Sequence, residues 1–371
     1  MLLTGVAAAV VGAAIIFGLA VVTNYKQVGN LVKVIHLIET QYVKEVPTSR
    51  LIEGALDGIV NSLDDPYSVY LEPETFKRFK EQMRGSFGGL GILVGIRGEN
   101  QLTVVRPFEG TPADRAGLRE GDVIVEIDGI ETKNIDLETA VALMRGPVGT
   151  EVKLKVKREN NEDLLDFCIT REEIQIPTVE SRMLDDSIGY ILLTQFAENT
   201  VIEFEQALEE LKDRGMKALI LDLRNNPGGN LSTAVRIADQ FLAKGPIVKI
   251  DYRQGEDQTY PADKKALDMP LVVLVNEGSA SASEIVAGAV KDSRVGTLVG
   301  EKTFGKGVVQ TVFELDNGAG LKLTTARYLT PSGYDLNKKG IEPDILVPLP
   351  DDAGQDLQLQ KAVELLQEKL G

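Results

Sequence analysis

Residues 272–288 read VVLVNEGSASASEIVAG: four aliphatic residues in a row, a patch of glycine, serine and alanine, then apolar residues at helical spacing. Residues 219–235, LILDLRNNPGGNLSTAV, repeat the plan with a Pro-Gly-Gly turn in the middle. Short unbroken aliphatic runs mark strands covered on both faces, and a strand that passes through small residues into a helix is half of a βαβ unit. The alternation continues on either side: SIGYILLTQF, a helix over 200–214, MKALILDLR, a helix over 231–243, PLVVLVN, a helix over 283–291, and later strands. It closes on a hairpin whose arms, TVFEL and LKLTTARYL, flank Asp316 to Gly320. The class is therefore α/β, a layered domain over 172–350. Such crossings leave backbone N–H groups at the carboxyl ends of strands, where open α/β sheets bind ligands.

Upstream, from Gly85 to Arg171, the chain is β-rich: FGGLGILVGI, QLTVVRPF, DVIVEIDGI, EVKLKVKR and LLDFCITR surround one clear helix, Leu137 to Met144. Residues 26–84 are helical. Val28, Leu31, Val32, Ile35, Ile38 and Tyr42 form one stripe, Leu51 to Leu63 a second that Asp64-Asp65-Pro66 stops, and Leu71 to Met83 a third helix ending at Gly85. At the other end, over 351–371, Leu357, Leu359, Ala362, Val363, Leu365 and Leu366 make an apolar helical stripe, suited either to a dimer interface or to packing back on its own domain.

Residues 1–25 carry no charge, and Gly5 to Val22 is apolar at membrane-spanning length. No basic residue precedes the run, so an uncleaved anchor is favoured over a cleaved signal segment with its exit near Gly18 and Ala20. Either reading puts the remaining chain outside the cytoplasm, at the cell membrane or secreted, although Lys26 and Lys33 argue for the opposite topology.

The 371 residues hold 40 basic and 56 acidic side chains, net −16, a field that repels phosphate backbones and sets nucleic acid aside. One cysteine, Cys168, and one histidine, His36, exclude an internal disulfide and a Cys/His zinc cage, and leave a histidine triad only His36. His36 reads as a solvated or interface residue, and Cys168, between Phe167 and Ile169, as an inert buried thiol. Nothing specifies a metal or an organic cofactor.

The runs FGGLGILV (87–94), GTPADRAGL (110–118), REGDVIVEIDG (119–129) and RGPVGTEVKLKVKR (145–158) resemble the signature runs of a bacterial PDZ domain, placing one over 85–171. In such a domain the N–H groups of Gly88, Gly89, Leu90 and Gly91 form an anion nest for a peptide's terminal carboxylate. The following strand offers an edge, and Leu90, Ile92 and the 137–144 helix line an apolar pocket. The pairing of NEGSASASEIVAGAV (276–290) with VGEKTFGKGVVQ (299–310) resembles the carboxy-terminal processing peptidases, or tail-specific proteases, which are serine proteases with a lysine base. The resemblance implies a core of the tricorn-core and crotonase-like type, Ser281 as nucleophile, Lys306 as base and Gln310 as their third member. It also implies oxyanion donors at Ala282 and at Gly228 or Gly229, protein substrates with free apolar carboxy termini, and a homodimer built on the terminal helices.

The chemistry agrees with these roles. A serine hydroxyl needs a neighbour to take its proton, and a lysine serves only if burial or a nearby positive charge lowers its pKa by several units. Gln310 orients Lys306 only if the segment coils: an extended strand would separate them by about 13 Å, whereas one helical turn makes them neighbours. Ser281-x-x-Glu284 is also a capping box that starts a helix, a role compatible with catalysis. Ser279 and Ser283 read as loop and helix-entry residues, Asp222 and Arg224 as a structural pair, and Arg145 as a link between peptide capture and the protease site. The competing class is a catalytically silent PDZ scaffold; a small-molecule esterase would leave the peptide-binding module idle.

Overall fold

The computed structural model describes residues 28–348 and 355–371, apart from 99, 160, 162, 264 and 265. The expected membrane segment 1–25 lies outside them. Among the described residues no helix is long and apolar enough to cross a membrane. The chain divides into two compact units: the described residues up to Thr75 with Gln310–Thr324, and Phe76–Val309 with Thr325–Gly371.

In the first unit, α1 (residues 28–41) and α2 (Thr48–Asn61) follow the apolar spacing. His36 is exposed on α1. A short strand, β1 (Val69–Leu71), pairs antiparallel with Gly320–Lys322 and takes Leu71 out of the expected third helix. Proline opens that helix instead, α3 (Pro73–Arg84), whose residues from Phe76 on belong to the second unit, because its missing N–H costs nothing in a first turn. Val60, Tyr70 and Ala319 form the small core.

The second unit begins with the β-rich region. It contains β2 (Ser86–Gly89), β3 (Ile92–Arg97), β4 (Gln101–Pro107), α4 (Pro112–Ala116), β5 (Val123–Ile127), β6 (Ile130–Glu131), α5 (Leu137–Met144), β7 (Glu151–Lys157), β8 (Leu165–Thr170) and β9 (Glu172–Gln175). The sheet runs β3-β4-β5-β7-β8, with β6 on β5, over a core that includes Leu102, Val104, Ile124, Ile127 and Val152. β2 and β9 stand apart from it and pair with each other, Ser86 opposite Gln175 and Gly89 opposite Glu172, so the strands that bring the chain into the small domain and out again form one stem.

The α/β core follows with β10 (Val179–Met183), β11 (Ile188–Leu193), α6 (Thr200–Asp213), β12 (Ala218–Asp222), α7 (Leu231–Ala238), β13 (Pro246–Tyr252), β14 (Gln258–Pro261), β15 (Leu271–Val275), α8 (Ala282–Ser293) and β16 (Thr297–Gly300). After these come β17 (Val308–Glu314) and β18 (Gly320–Leu329), of which Gln310–Thr324 belong to the first unit, then β19 (Ile345–Leu346) and α9 (Leu357–Leu370). Its sheet runs β10-β11-β12-β15-β16-β19, parallel from β11 onward, with β10 antiparallel at the edge. Alternate residues feed two cores. Ile191, Leu219, Leu221, Val273 and Val275 pack with α6, α7 and α8, while Tyr190, Ala218, Ile220, Val272 and Leu274 pack with Ala362 and Leu366 of α9. That two-sided burial is why these strands read as unbroken aliphatic runs. The buried apolar residues of the last helix, Ala362 and Leu366, pack on this chain's own sheet. β13 pairs with β14 and with Ala326–Leu329 of β18.

Candidate active site

The crossing from β15 to α8 places three serines differently. Ser279 and Ser283 are fully buried, and their hydroxyls donate to the carbonyls of Leu223 (2.7 Å) and Asn226 (2.9 Å) on the neighbouring crossing. Both are thereby committed to holding loops together. Ser281 is only partly buried and caps α8 with φ 55° and ψ −112°, a backbone region that costs a side-chain-bearing residue about 1–3 kcal/mol. Strained strand-to-helix turns of this kind lift a side chain clear of the sheet.

The crossing from β12 to α7 lies against it. A Cβ on Gly228 would sit 2.6 Å from the Ala280 carbonyl oxygen and 2.8 Å from both the Ala282 nitrogen and the Ser281 Cβ. A Cβ on Gly229 would meet the Phe196 carbonyl oxygen at 2.2 Å. Only glycine fits at either position. The two N–H groups are not equivalent: that of Gly228 donates to Asn226 Oδ1 at 2.9 Å, and its carbonyl accepts from Phe196 N–H. Among the described residues the N–H groups of Gly229 and Ala282 have no acceptor. Of the expected oxyanion donors, Gly228 is thus already engaged.

Lys306 lies within an irregular stretch, residues 302–307, and is half-buried. What ties it to Ser281 is Glu284, a fully buried carboxylate that the sequence shows only as half of a capping box. Its Oε2 accepts the N–H groups of both Ser281 and Lys306, each at 2.9 Å, so the two backbone nitrogens are no further apart than twice that distance. Its Oε1 accepts the Thr303 hydroxyl at 2.6 Å and the Gly305 N–H at 2.7 Å. Tyr328, also buried, donates its hydroxyl to the Lys306 carbonyl and lies 3.1 Å from the Ser281 carbonyl. Neither connection was legible beforehand, because Glu284 looks like a cap and Tyr328 belongs to a distant strand.

The flanking glycines of Lys306 do different work. Gly305 takes φ 90°, whereas Gly307 makes room for Asn337, whose backbone nitrogen would lie 2.7 Å from a Cβ there. Gln310 is the third residue of β17, which is extended from Val308, so residues 306 and 310 are not one helical turn apart.

In the small domain the Gly-rich run departs from expectation. Gly88 and Gly89 belong to β2 and pair with Glu173 and Glu172, which corrects the four-residue nest. The cause is close approach: a Cβ on Gly88 would sit 2.0 Å from the Gly146 carbonyl oxygen. Leu90 and Gly91 alone form the irregular link, with the Leu90 side chain buried in the domain core, and Ile92 opens the edge strand β3. Arg145 ends α5, stacks 4.0 Å over the Phe87 ring and lies 3.5 Å from Glu81 of α3. α3 in turn accepts core hydrogen bonds, Gln82 O from Gln195 and Met83 O from Glu198. Cys168 is exposed rather than buried: period-two alternation turns Ile169 inward and Cys168 to the opposite face.

Asp222 and Arg224 form the expected pair, Nη2 to Oδ2 at 2.6 Å, but the pair extends much further. Burial and the Asp222 charge raise the pKa of Tyr190, whose hydroxyl donates to Asp222 at 2.8 Å. Asp356 accepts Arg224 at 2.9 and 2.8 Å. Burial pushes the Asp356 carboxyl up, but the bonds from Arg224 and from Leu359 N–H outweigh it and hold its pKa below the ordinary value.

The profile of "Peptidase family S41" matches residues 187–347, that of "PDZ domain" residues 103–158, and that of "Activating protease CtpB N-terminal domain" residues 19–75. The chain is 40% identical over 333 residues to the carboxy-terminal processing protease CtpA of Bacillus subtilis (strain 168), covering 89% of this chain and 71% of that one. It is 41% identical over 343 residues to the carboxyl-terminal-processing protease of Synechocystis sp. (strain ATCC 27184 / PCC 6803 / Kazusa), covering 89% and 80%. Among solved structures, the photosystem II D1 C-terminal processing protease aligns over 91% of this chain and 96% of its own at 32% identity and TM-score 0.51. With two thirds or more of each relative spanned at such identity, the chain belongs to the carboxy-terminal processing proteases, serine-type peptidases of family S41 that carry a PDZ domain.

Proposed function

We propose that this chain is a carboxy-terminal processing endopeptidase acting through an acyl-enzyme on Ser281, with Lys306 as its base. Neutral Lys306 takes the Ser281 proton as Oγ bonds to the scissile carbonyl carbon. The oxyanion is met by the N–H groups of Ala282 and Gly229, at the helix N-terminus where developing negative charge is favoured. Lys306 then returns the proton to the leaving amine as the C–N bond breaks, and water repeats the cycle to release the acid. The family resemblance names Gln310 as a third member of the site, but its place in extended β17 does not meet the coiled geometry that orienting Lys306 requires. Leu90, Gly91 and Ile92 at the edge of β3 capture the substrate's free carboxy terminus, and Arg145, through Glu81, links that capture to the core. The apolar amino-terminal segment anchors the enzyme in the membrane with its catalytic part outside the cytoplasm, and the amino-terminal helices serve a homodimer.

One observation carries the reading: a single oxygen of Glu284 receives the backbone N–H of both Ser281 and Lys306, which holds nucleophile and base segments together. The test compares the full chain with Ser281→Ala on an apolar-ended peptide offered with a free and an amidated carboxy terminus. The expected outcome is a loss in kcat of about 10⁴-fold or more in the variant, with the parent favouring the free terminus. A variant that cuts like its parent rejects the nucleophile, and binding of the free terminus with no cleavage by either protein favours the silent scaffold.

A further inference from the structure

The oxyanion turn is anchored from a distant part of the chain. Arg224 stands two residues before Asn226 and four before Gly228, and its guanidinium has no freedom left. Nε lies 3.0 Å from both Asp222 carboxylate oxygens, Nη1 and Nη2 reach Asp356 at 2.9 and 2.8 Å, and Nη1 reaches Gln358 Oε1 at 3.1 Å. Two carboxylates holding one planar fork fix its orientation as well as its position. Asp356 is itself held, because its Oδ1 also caps α9 by accepting Leu359 N–H at 2.9 Å. Gln358, fully buried, ties the same turn of α9 to the Val347 carbonyl at 2.8 Å.

On both sides of Arg224 the backbone is stitched to the nucleophile crossing. The Leu223 carbonyl accepts the Ser279 hydroxyl, Asn225 N–H donates to Asn276 Oδ1 at 2.8 Å, and the Asn226 carbonyl accepts Ala280 N–H at 3.0 Å. A shift of Arg224 therefore moves Gly229 and the Ser281 turn together.

We propose that Asp356 is a positioning residue for catalysis, holding the Gly229 donor in place through Arg224 and making the head of the last helix part of the active-site scaffold. The inference rests on the assignment of Ser281 and Gly229 above. It differs from a stability role in one respect: α9 keeps its own hold on the sheet through buried Ala362 and Leu366, so loss of the Asp356 charge leaves the helix docked and frees the oxyanion turn.

The experiment uses the full chain as parent, Asp356→Asn, Asp356→Glu and Leu366→Ala. It reads kcat and KM on the free-ended peptide, the rate at which a fluorophosphonate probe labels Ser281, and Tm. In the labelling, Oγ bonds to phosphorus and fluoride leaves. Asp356→Asn is expected to lower kcat and the labelling rate about 10–100-fold with KM within about twofold, the size expected for misplacing one oxyanion donor. Asp356→Glu restores most of both. Leu366→Ala loosens α9 without touching the clamp and calibrates a merely structural effect, so at equal loss of Tm it must lose less kcat than Asp356→Asn. Equal kcat and equal labelling in parent and Asp356→Asn overturn the inference while leaving Ser281 as nucleophile. So does a kcat loss in Leu366→Ala as large as that in Asp356→Asn at equal Tm. A parent that cuts the peptide but is not labelled at Ser281 rejects the nucleophile instead, and the inference falls with it.

Discussion

The two strand-to-helix crossings occupy equivalent places on adjacent parallel strands, Asp222 opposite Leu274, yet they are built by opposite means. The β12–α7 crossing works through what is missing. Gly228 and Gly229 have no room for a side chain, and α7 is capped routinely by Asn230, whose Oδ1 accepts Ser232 N–H at 2.8 Å. The β15–α8 crossing works through what is present: a serine held at positive φ and a buried carboxylate beneath it. One lends backbone and the other side chains, so the first is damaged by adding atoms and the second by removing charge.

Glu284→Gln tests the second half of that contrast and carries the largest expected effect on the fold. An amide offers one carbonyl oxygen where the carboxylate meets four donors, and turns its NH₂ toward two of them. Denaturant titration should show a loss of about 3–5 kcal/mol, with kcat falling about 10³-fold or more. Retained stability would mean that the crossing does not depend on the charge. Gly228→Ala tests the first half. Its Cβ collides with the Ala280 carbonyl and the Ser281 Cβ, so kcat should fall about 10²-fold, at a stability cost of about 1–2 kcal/mol from the positive φ. Unchanged kinetics would show that the glycine matters for folding alone.

The smallest effect sharpens the comparison through pH. The folded pKa of Asp356 lies below its ordinary value of 3.8, so its contribution is fully present above that value and disappears as pH falls through the depressed one. The Tm gap between parent and Asp356→Asn should therefore hold steady from about pH 7 to pH 5, narrow only once pH falls below the ordinary value of 3.8, and close as pH passes through the depressed one. A gap that stays open at the acid end would assign it to packing instead of charge.

What the sequence made legible was local and periodic. β11, β12 and β15 announce themselves because both their faces are covered, and the capping box marks the head of α8. β13 and β14 are short antiparallel strands with mixed polarity, PIVKIDY and QTYP, and give no such run. α4, at five residues, is too short for a period to show. The misreading of Cys168 came from its apolar flanks, whose period-two alternation in fact sends it outward. Glu284 was visible as a residue but its other partners, Thr303, Gly305 and Lys306, come from a separate loop. Arg224 meets Asp356 across 132 positions, a pairing no window of sequence contains.

The stem formed by β2 and β9 has a consequence of another kind. Since Gly89 and Glu172 face each other across one strand spacing, the core experiences everything between them as a loop whose ends are already closed. The entropic cost of such a loop rises by only about 0.6 kcal/mol for each doubling of its length, so the core is nearly indifferent to what the loop contains. The small domain is in this sense a cassette: its connection to the core is closed at the stem, and the contact of Arg145 with Glu81 is added on top of that closure.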